Sequence, residues 1–337
     1  MKKIALFSVI SLLTLQVSAQ NKFPGYQQSW PKATPESQGM STELLEKARS
    51  LMRTDDGKEF QAVDAIIIRN GYDVWHIGNP YEVRKGNKFQ KDWASCGRSL
   101  MTTMFGMIFQ ENNLPASELE KPAREVFFSY TAKELDSTIL ASHLLGYAAC
   151  GAPSGSRWDY ACHYFTMHRI VRDIDGCNPA ERIKKLAKQI DADWQPFEYW
   201  GHKLETPFLT IVASEQEAAR WGYLWLNKGN WNGTQIVGRD FVDYSLLPVK
   251  SPLGGYAHSN EGLQIHLNLH GMWGNKIPAD AYAAFGAGGK IIFVCPSMNM
   301  VAAITIDPSP YQRREVNGEI HRSIQYLMEP FIDAVIK

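Results

Sequence analysis

An excess of charge of either sign is missing from this 337-residue chain: 35 basic and 35 acidic residues balance to a net charge of zero. That leaves neither the polybasic footprint of a nucleic-acid binder nor a patch for an anionic membrane surface. No apolar run reaches the roughly 20 residues that a membrane-spanning helix needs. Cysteine is limited to five positions (96, 150, 162, 177 and 295), with no pair at zinc-finger spacing, so neither a metal site nor a cofactor is expected. Internal repeats, linkers and low-complexity tracts are also missing, which argues against a multi-domain array.

What remains is a compact globular composition, 45% hydrophobic with ten tryptophans. Residues 1–19 read as a signal peptide: Lys2 and Lys3, an apolar core from Ile4 to Leu15, and the small-residue site Val17-Ser18-Ala19. The expected location is therefore a bacterial periplasm or the exterior. Residues 20–337 are expected to form a single domain, large enough for one core or for two lobes sharing a cleft. An odd number of cysteines in an oxidising compartment leaves at least one thiol free or paired with another molecule. Cys162 bridged to Cys150 or to Cys177 are both admissible, and spacing does not choose between them.

In chain order, a Pro-rich lead over 20–40 precedes an amphipathic helix marked by Leu44, Leu45, Ala48, Leu51 and Met52. Two β-branched runs, Ala62 to Arg69 and Tyr72 to His76, flank Asn70-Gly71, a strong hairpin signal. Residues 79–92 read as a polar loop, and the middle third as helical. Ser214 with Glu217 forms a capping-box pattern before a helix carrying Ala218, Trp221 and Trp225, with Gly229 as its stop. Ile291 to Cys295 and Val301 to Ile306 read as strands, and Ile320 to Ile336 as a packing helix. Histidines 258, 266 and 270 cluster loosely and are read as surface or cavity residues.

The chemistry concentrates in the stretch from Trp93 to Ile108. Apolar residues at 100, 101, 104, 105 and 108 have helical spacing, and Ser95 stands where that helix begins. In such a helix Ser95, Arg98 and Ser99 share one face, near the positive end of the dipole where a developing anion is stabilised. Taken alone, the segment reads first as a capped core helix with an exposed arginine. Cys96 and Cys162 are weaker nucleophile candidates, since neither has a histidine partner at motif level, although His163 adjoins Cys162.

Ser95-Cys96-Gly97-Arg98 resembles the Ser-x-x-Lys box of the serine beta-lactamase and penicillin-binding-protein superfamily. The likeness is to its class C-like branch, which includes esterases, D-aminopeptidases and 6-aminohexanoate-dimer hydrolases. Pro153-Ser154-Gly155-Ser156-Arg157-Trp158-Asp159-Tyr160-Ala161-Cys162 resembles the second box, with Tyr160 retained and Cys162 in the asparagine place. The stretch from Tyr282 to Lys290 resembles the third, with Ala284-Phe285-Gly286 standing for Lys-Thr-Gly. The resemblance extends from about residue 30 to the C-terminus.

It implies an α+β, beta-lactamase-like fold: an antiparallel sheet flanked by helices, plus an inserted all-helical lobe. It also implies hydrolysis of an ester or amide of a small acid through a Ser95 acyl-enzyme, with Tyr160 as base. Arg98 stands where the family has its lysine, and a guanidinium stays protonated, so it is cast as electrostatic support. The backbone N–H groups of Ser95 and Ala287 would form the oxyanion hole, with Gly286, Lys290 and Cys162 contributing to substrate binding. Arg98 and Lys290 together would make the pocket positive, and Trp194, Tyr199, Trp200 and Trp273 would serve as aromatic platforms. The alternative is a degenerate relative that binds a ligand or partner without turnover, since the lysine and the asparagine are lost together.

Overall fold

The computed structural model describes residues 22–51, 62–82, 92–160, 162–199, 208–306 and 319–336. The leader expected over 1–19 lies outside them, as does Trp200. Asn70 and Gly71 take φ values of 52° and 81°, as a tight two-residue turn requires. β1 (Ala62–Arg69) therefore folds back antiparallel on β2 (Tyr72–Ile77). β3 (Gln195–Tyr199) pairs with β4 (Phe208–Val212), and β5 (Asn230–Trp231) with β6 (Thr234–Gln235), as separate ribbons. β7 (His266–Leu267), β8 (Tyr282–Gly286), β9 (Lys290–Cys295) and β10 (Met300–Ile306) complete the main sheet. Its order is β2-β1-β10-β9-β8-β7, antiparallel throughout.

Both faces of this sheet are covered, which is why Ala65–Ile68, Ile291–Cys295 and Met300–Ile304 are apolar at successive positions and do not alternate. On one face Ile66, Ile68, Ile292, Val294, Val301 and Ala303 join the larger core. On the other, Ala65, Ile67, Phe293, Ala302 and Ile304 pack with Leu45, Ala48, Leu327 and Phe331. Those last four come from α1 (Thr42–Leu51) and from the C-terminal helix, Glu319–Asp333.

The larger core is built around α2 (Cys96–Glu111), nearly all of whose side chains are buried from Cys96 to Phe109. A helix apolar on every side belongs in the middle of a protein, and this one separates the sheet from a helical lobe. That lobe comprises α3 (Ala123–Val126), α4 (Tyr130–Lys133), α5 (Ala141–Leu145), α6 (Tyr164–Asp175) and α7 (Ala180–Gln189). α8 (Glu215–Leu226) lies between α2 and the sheet, and α9 (Arg239–Ser245) closes the lobe; the C-terminal helix is α10. Thr103 Oγ1 on α2 accepts the indole N–H groups of Trp221 (2.8 Å) and Trp225 (3.0 Å) of α8. The α+β class, with its flanked sheet and helical lobe, is as the sequence implied.

The capping box expected at Ser214 does not form. Ser214 occupies the N-cap position without a side-chain cap bond. Glu217 is drawn instead to the Asp193 N–H (2.8 Å) and to the buried Arg220 guanidinium (3.1 Å). A buried arginine needs an acceptor more than a helix end does.

Candidate active site

Trp93 runs along β4, its N–H donating to Ile211 O (2.8 Å) and its indole to Ala213 O (3.0 Å). Ala94 then turns at φ 42°, a left-handed conformation that costs a non-glycine residue about 1–2 kcal/mol. Its N–H is held by Asp92 Oδ1 at 3.1 Å. This turn delivers Ser95 to the N-cap position of α2. The backbone there is already helical and the side chain makes no cap bond, so the hydroxyl is not engaged in closing the helix. Among the described residues no backbone acceptor takes the Ser95 N–H.

Two glycines set what surrounds Ser95. A Cβ on Gly97 would lie 2.0 Å from Leu209 O, so only glycine lets the first turn of α2 rest on β4. A Cβ on Gly286 would lie 2.5 Å from Trp93 O and 3.2 Å from Ser95 N. The end of β8 therefore abuts the serine turn, and Ala287, the next residue, is exposed. The first and third boxes, nearly 200 residues apart in sequence, meet here.

Arg98 points into a cage of rings. Its Cζ lies 3.9 Å from the Tyr160 ring centroid, 5.0 Å from Tyr164, 5.2 Å from Phe208 and 5.5 Å from Tyr147. Nη1 donates to the Tyr147 hydroxyl at 2.8 Å. Burial opposes the Arg98 charge, but the phenol groups of Tyr147, Tyr160 and Tyr164 outweigh it and leave the guanidinium more basic than usual. Burial also raises the Tyr147 hydroxyl, well above its ordinary range, so it stays protonated. The second box is thus brought to the first through Arg98 stacked on Tyr160, whose ring remains 44% exposed at the surface. Trp158 (5.8 Å from Tyr160) and His258 (5.2 Å from Trp158) continue the row of rings outward.

Other expectations are corrected. Ser99 does not share the site: its hydroxyl donates to Gln264 O at 2.7 Å and is buried. Lys290 does not charge the pocket, because it is buried with Nζ 3.4 Å from Asp92 Oδ1 and the two charges cancel. Cys162 offers no group to a substrate, being half of a disulfide with Cys150 (Cα–Cα 6.0 Å). That bridge closes the loop carrying Trp158 and Tyr160. Cys96 is no nucleophile, since burial raises its thiol above the usual range and its S–H faces Lys290 O. Trp194 is buried with its indole N–H on Glu217 O, and Trp273 is buried against Phe293 behind the sheet, so neither is a platform.

Asp92, Tyr147 and Trp158 are the contributors that sequence reasoning missed. A lone acid before a tryptophan, and a tyrosine after Gly146, carry no spacing signal. Trp158 lay inside the second box and was legible there as an aromatic two residues from Tyr160.

No protein-family model matches the chain, and no curated protein does. Solved structures do match. A penicillin-binding-protein homologue from Caulobacter crescentus is 13% identical, with a TM-score of 0.61 over 88% of this chain and 99% of that one. A candidate 6-aminohexanoate-dimer hydrolase from Bacillus anthracis is 18% identical, with a TM-score of 0.56 over 92% and 87%. A family VIII carboxylesterase is 12% identical, with a TM-score of 0.58 over 87% and 98%. These likenesses concern the fold.

Proposed function

From a chain with the fold of the serine beta-lactamases and penicillin-binding proteins, we propose an exported serine hydrolase acting on an ester or amide of a small acid. One observation carries this: Ser95 heads the central helix with its hydroxyl uncapped and its N–H facing the Gly286 end of β8. In the reaction Ser95 Oγ attacks the carbonyl carbon while Tyr160, acting as phenolate, takes its proton. The oxyanion is received by the Ser95 and Ala287 N–H groups, and the proton passes to the departing alcohol or amine. Water then repeats the sequence on the acyl-enzyme. Arg98 contributes a permanent positive charge against the Tyr160 ring, and a fork that cannot accept a proton.

The leader over 1–19 supports export, and the likeness to esterase and amide-hydrolase structures supports the bond class. A second reading, a cleft that binds without turnover, is favoured by the Arg98 cage itself, since no lysine amine occupies that position. A fluorophosphonate probe separates the two. The hydrolase is labelled on Ser95, and Ser95→Ala abolishes labelling while moving stability by less than about 1 kcal/mol. A native chain that takes no label is a binder, and equal labelling of the alanine variant removes Ser95 from the mechanism.

A further inference from the structure

Lys290 is directly opposite Gly286 in the β8–β9 pairing. Opposed residues of an antiparallel pair carry their side chains on the same face. Gly286 turns that face toward Ser95 N, and Lys290 follows it to reach Asp92 Oδ1 at 3.4 Å. The same carboxylate oxygen accepts the N–H of Ala94, the residue strained at φ 42° immediately before Ser95. Asp92 and Lys290 side chains are only 1% and 9% exposed. A buried carboxylate is retained only when paired, and left-handed strain persists only where the surroundings over-determine it.

We propose that the Asp92–Lys290 ion pair is the positioning device of the serine turn, fixing the distance between the two N–H groups of the oxyanion hole. Asp92 holds the Ser95 side through Ala94. Lys290 holds the other side, because it closes the three-residue turn, Ala287 to Gly289, that follows Gly286. One buried bond thus connects the first box to the third. Neither residue touches the reacting atoms. The inference rests on the serine-hydrolase reading for its catalytic consequence, but its structural half stands apart.

The test uses the full chain and the variants Asp92→Asn, Lys290→Met, Lys290→Arg and Asp92→Asn/Lys290→Met. Three quantities are read: the fluorophosphonate labelling rate, the urea midpoint, and amide hydrogen exchange over 92–98 and 286–290. Each charge-removing single variant should label about 100-fold more slowly, the size of a lost oxyanion donor, and exchange faster in both segments, with α6 unchanged. Lys290→Arg should recover labelling to within about fivefold. The double variant, with no unpaired buried charge, should regain the native urea midpoint while labelling stays slow. Native labelling in the double variant, or unchanged exchange over 92–98 in the single variants, would overturn the proposal. If the native chain takes no label, the hydrolase reading fails, and the exchange comparison still decides whether the pair holds the turn.

Discussion

Two cations, one buried and one half-buried, flank Ser95, and they are accommodated in different ways. Lys290, on the sheet side, is opposed by the carboxylate of Asp92. Arg98, on the lobe side, has ring faces and one neutral hydroxyl, with no carboxylate partner among the described residues. The difference follows from the two groups. An ammonium is compact and strongly hydrated, so burial requires a counter-charge, whereas a planar guanidinium is weakly hydrated and stacks on aromatic faces. A third basic group in the lobe has a ring beside it but no hydrogen-bond partner. His168 is buried beside Tyr164 with both ring nitrogens unbonded, and burial lowers its pKa to about 3, so it is neutral.

The comparison is broken most strongly at Arg98. Arg98→Ala should cost about 10³-fold in kcat/KM on an activated ester, about 4 kcal/mol, because Tyr160 loses its stacked cation and the Tyr147 hydroxyl its donor. Arg98→Lys should cost roughly tenfold, since the charge stays but stack and fork are lost. A gain on restoring lysine would instead mark a decayed lysine enzyme.

Next comes the bridge that holds the Tyr160 ring over Arg98. Replacing Cys150 and Cys162 by alanine opens a loop of sequence separation 12 and should lower stability by about 3 kcal/mol in urea unfolding. Activity should fall with it, by about tenfold at temperatures where the variant is folded. Unchanged activity would show that Tyr160 does not depend on its loop.

His168 sharpens the comparison through pH. Its pKa in the folded chain lies below the ordinary value near 6.5, so as pH falls the unfolded chain binds the proton first. Stability is complete above about 6.5 and declines below it, by about 2 kcal/mol at pH 5. Urea midpoints at pH 7 and pH 5 should show this loss in the native chain and little of it in His168→Phe. The smallest effect is expected at Trp158, the outer ring of the row. Trp158→Ala should raise KM for an aromatic ester about threefold and leave kcat unchanged.

Patterning alone determined three stretches of the chain: the Asn70-Gly71 hairpin, the apolar helix after Ser95, and the strands after Gly289; the β3–β4 ribbon, in a part read as helical, was not among them. Those follow from local period and turn chemistry, which neighbours in sequence carry. The serine, Tyr160 and Gly286 were legible for the same reason, each inside a short box. The rest was decided by tertiary structure. Lys290 and Asp92 are 198 positions apart, so nothing local announces that one neutralises the other. Ser214 and Glu217 have the spacing of a capping box, but a buried Arg220 claims the carboxylate. Cys162 stood in a ligand position by alignment, and only the 6.0 Å approach of Cys150 made it a staple. Arg98 looked like a lost lysine in one dimension. In three, its charge is held by rings contributed from α5's end, the Tyr160 loop, α6 and β4, because a half-buried charge takes the partners that the fold brings within reach.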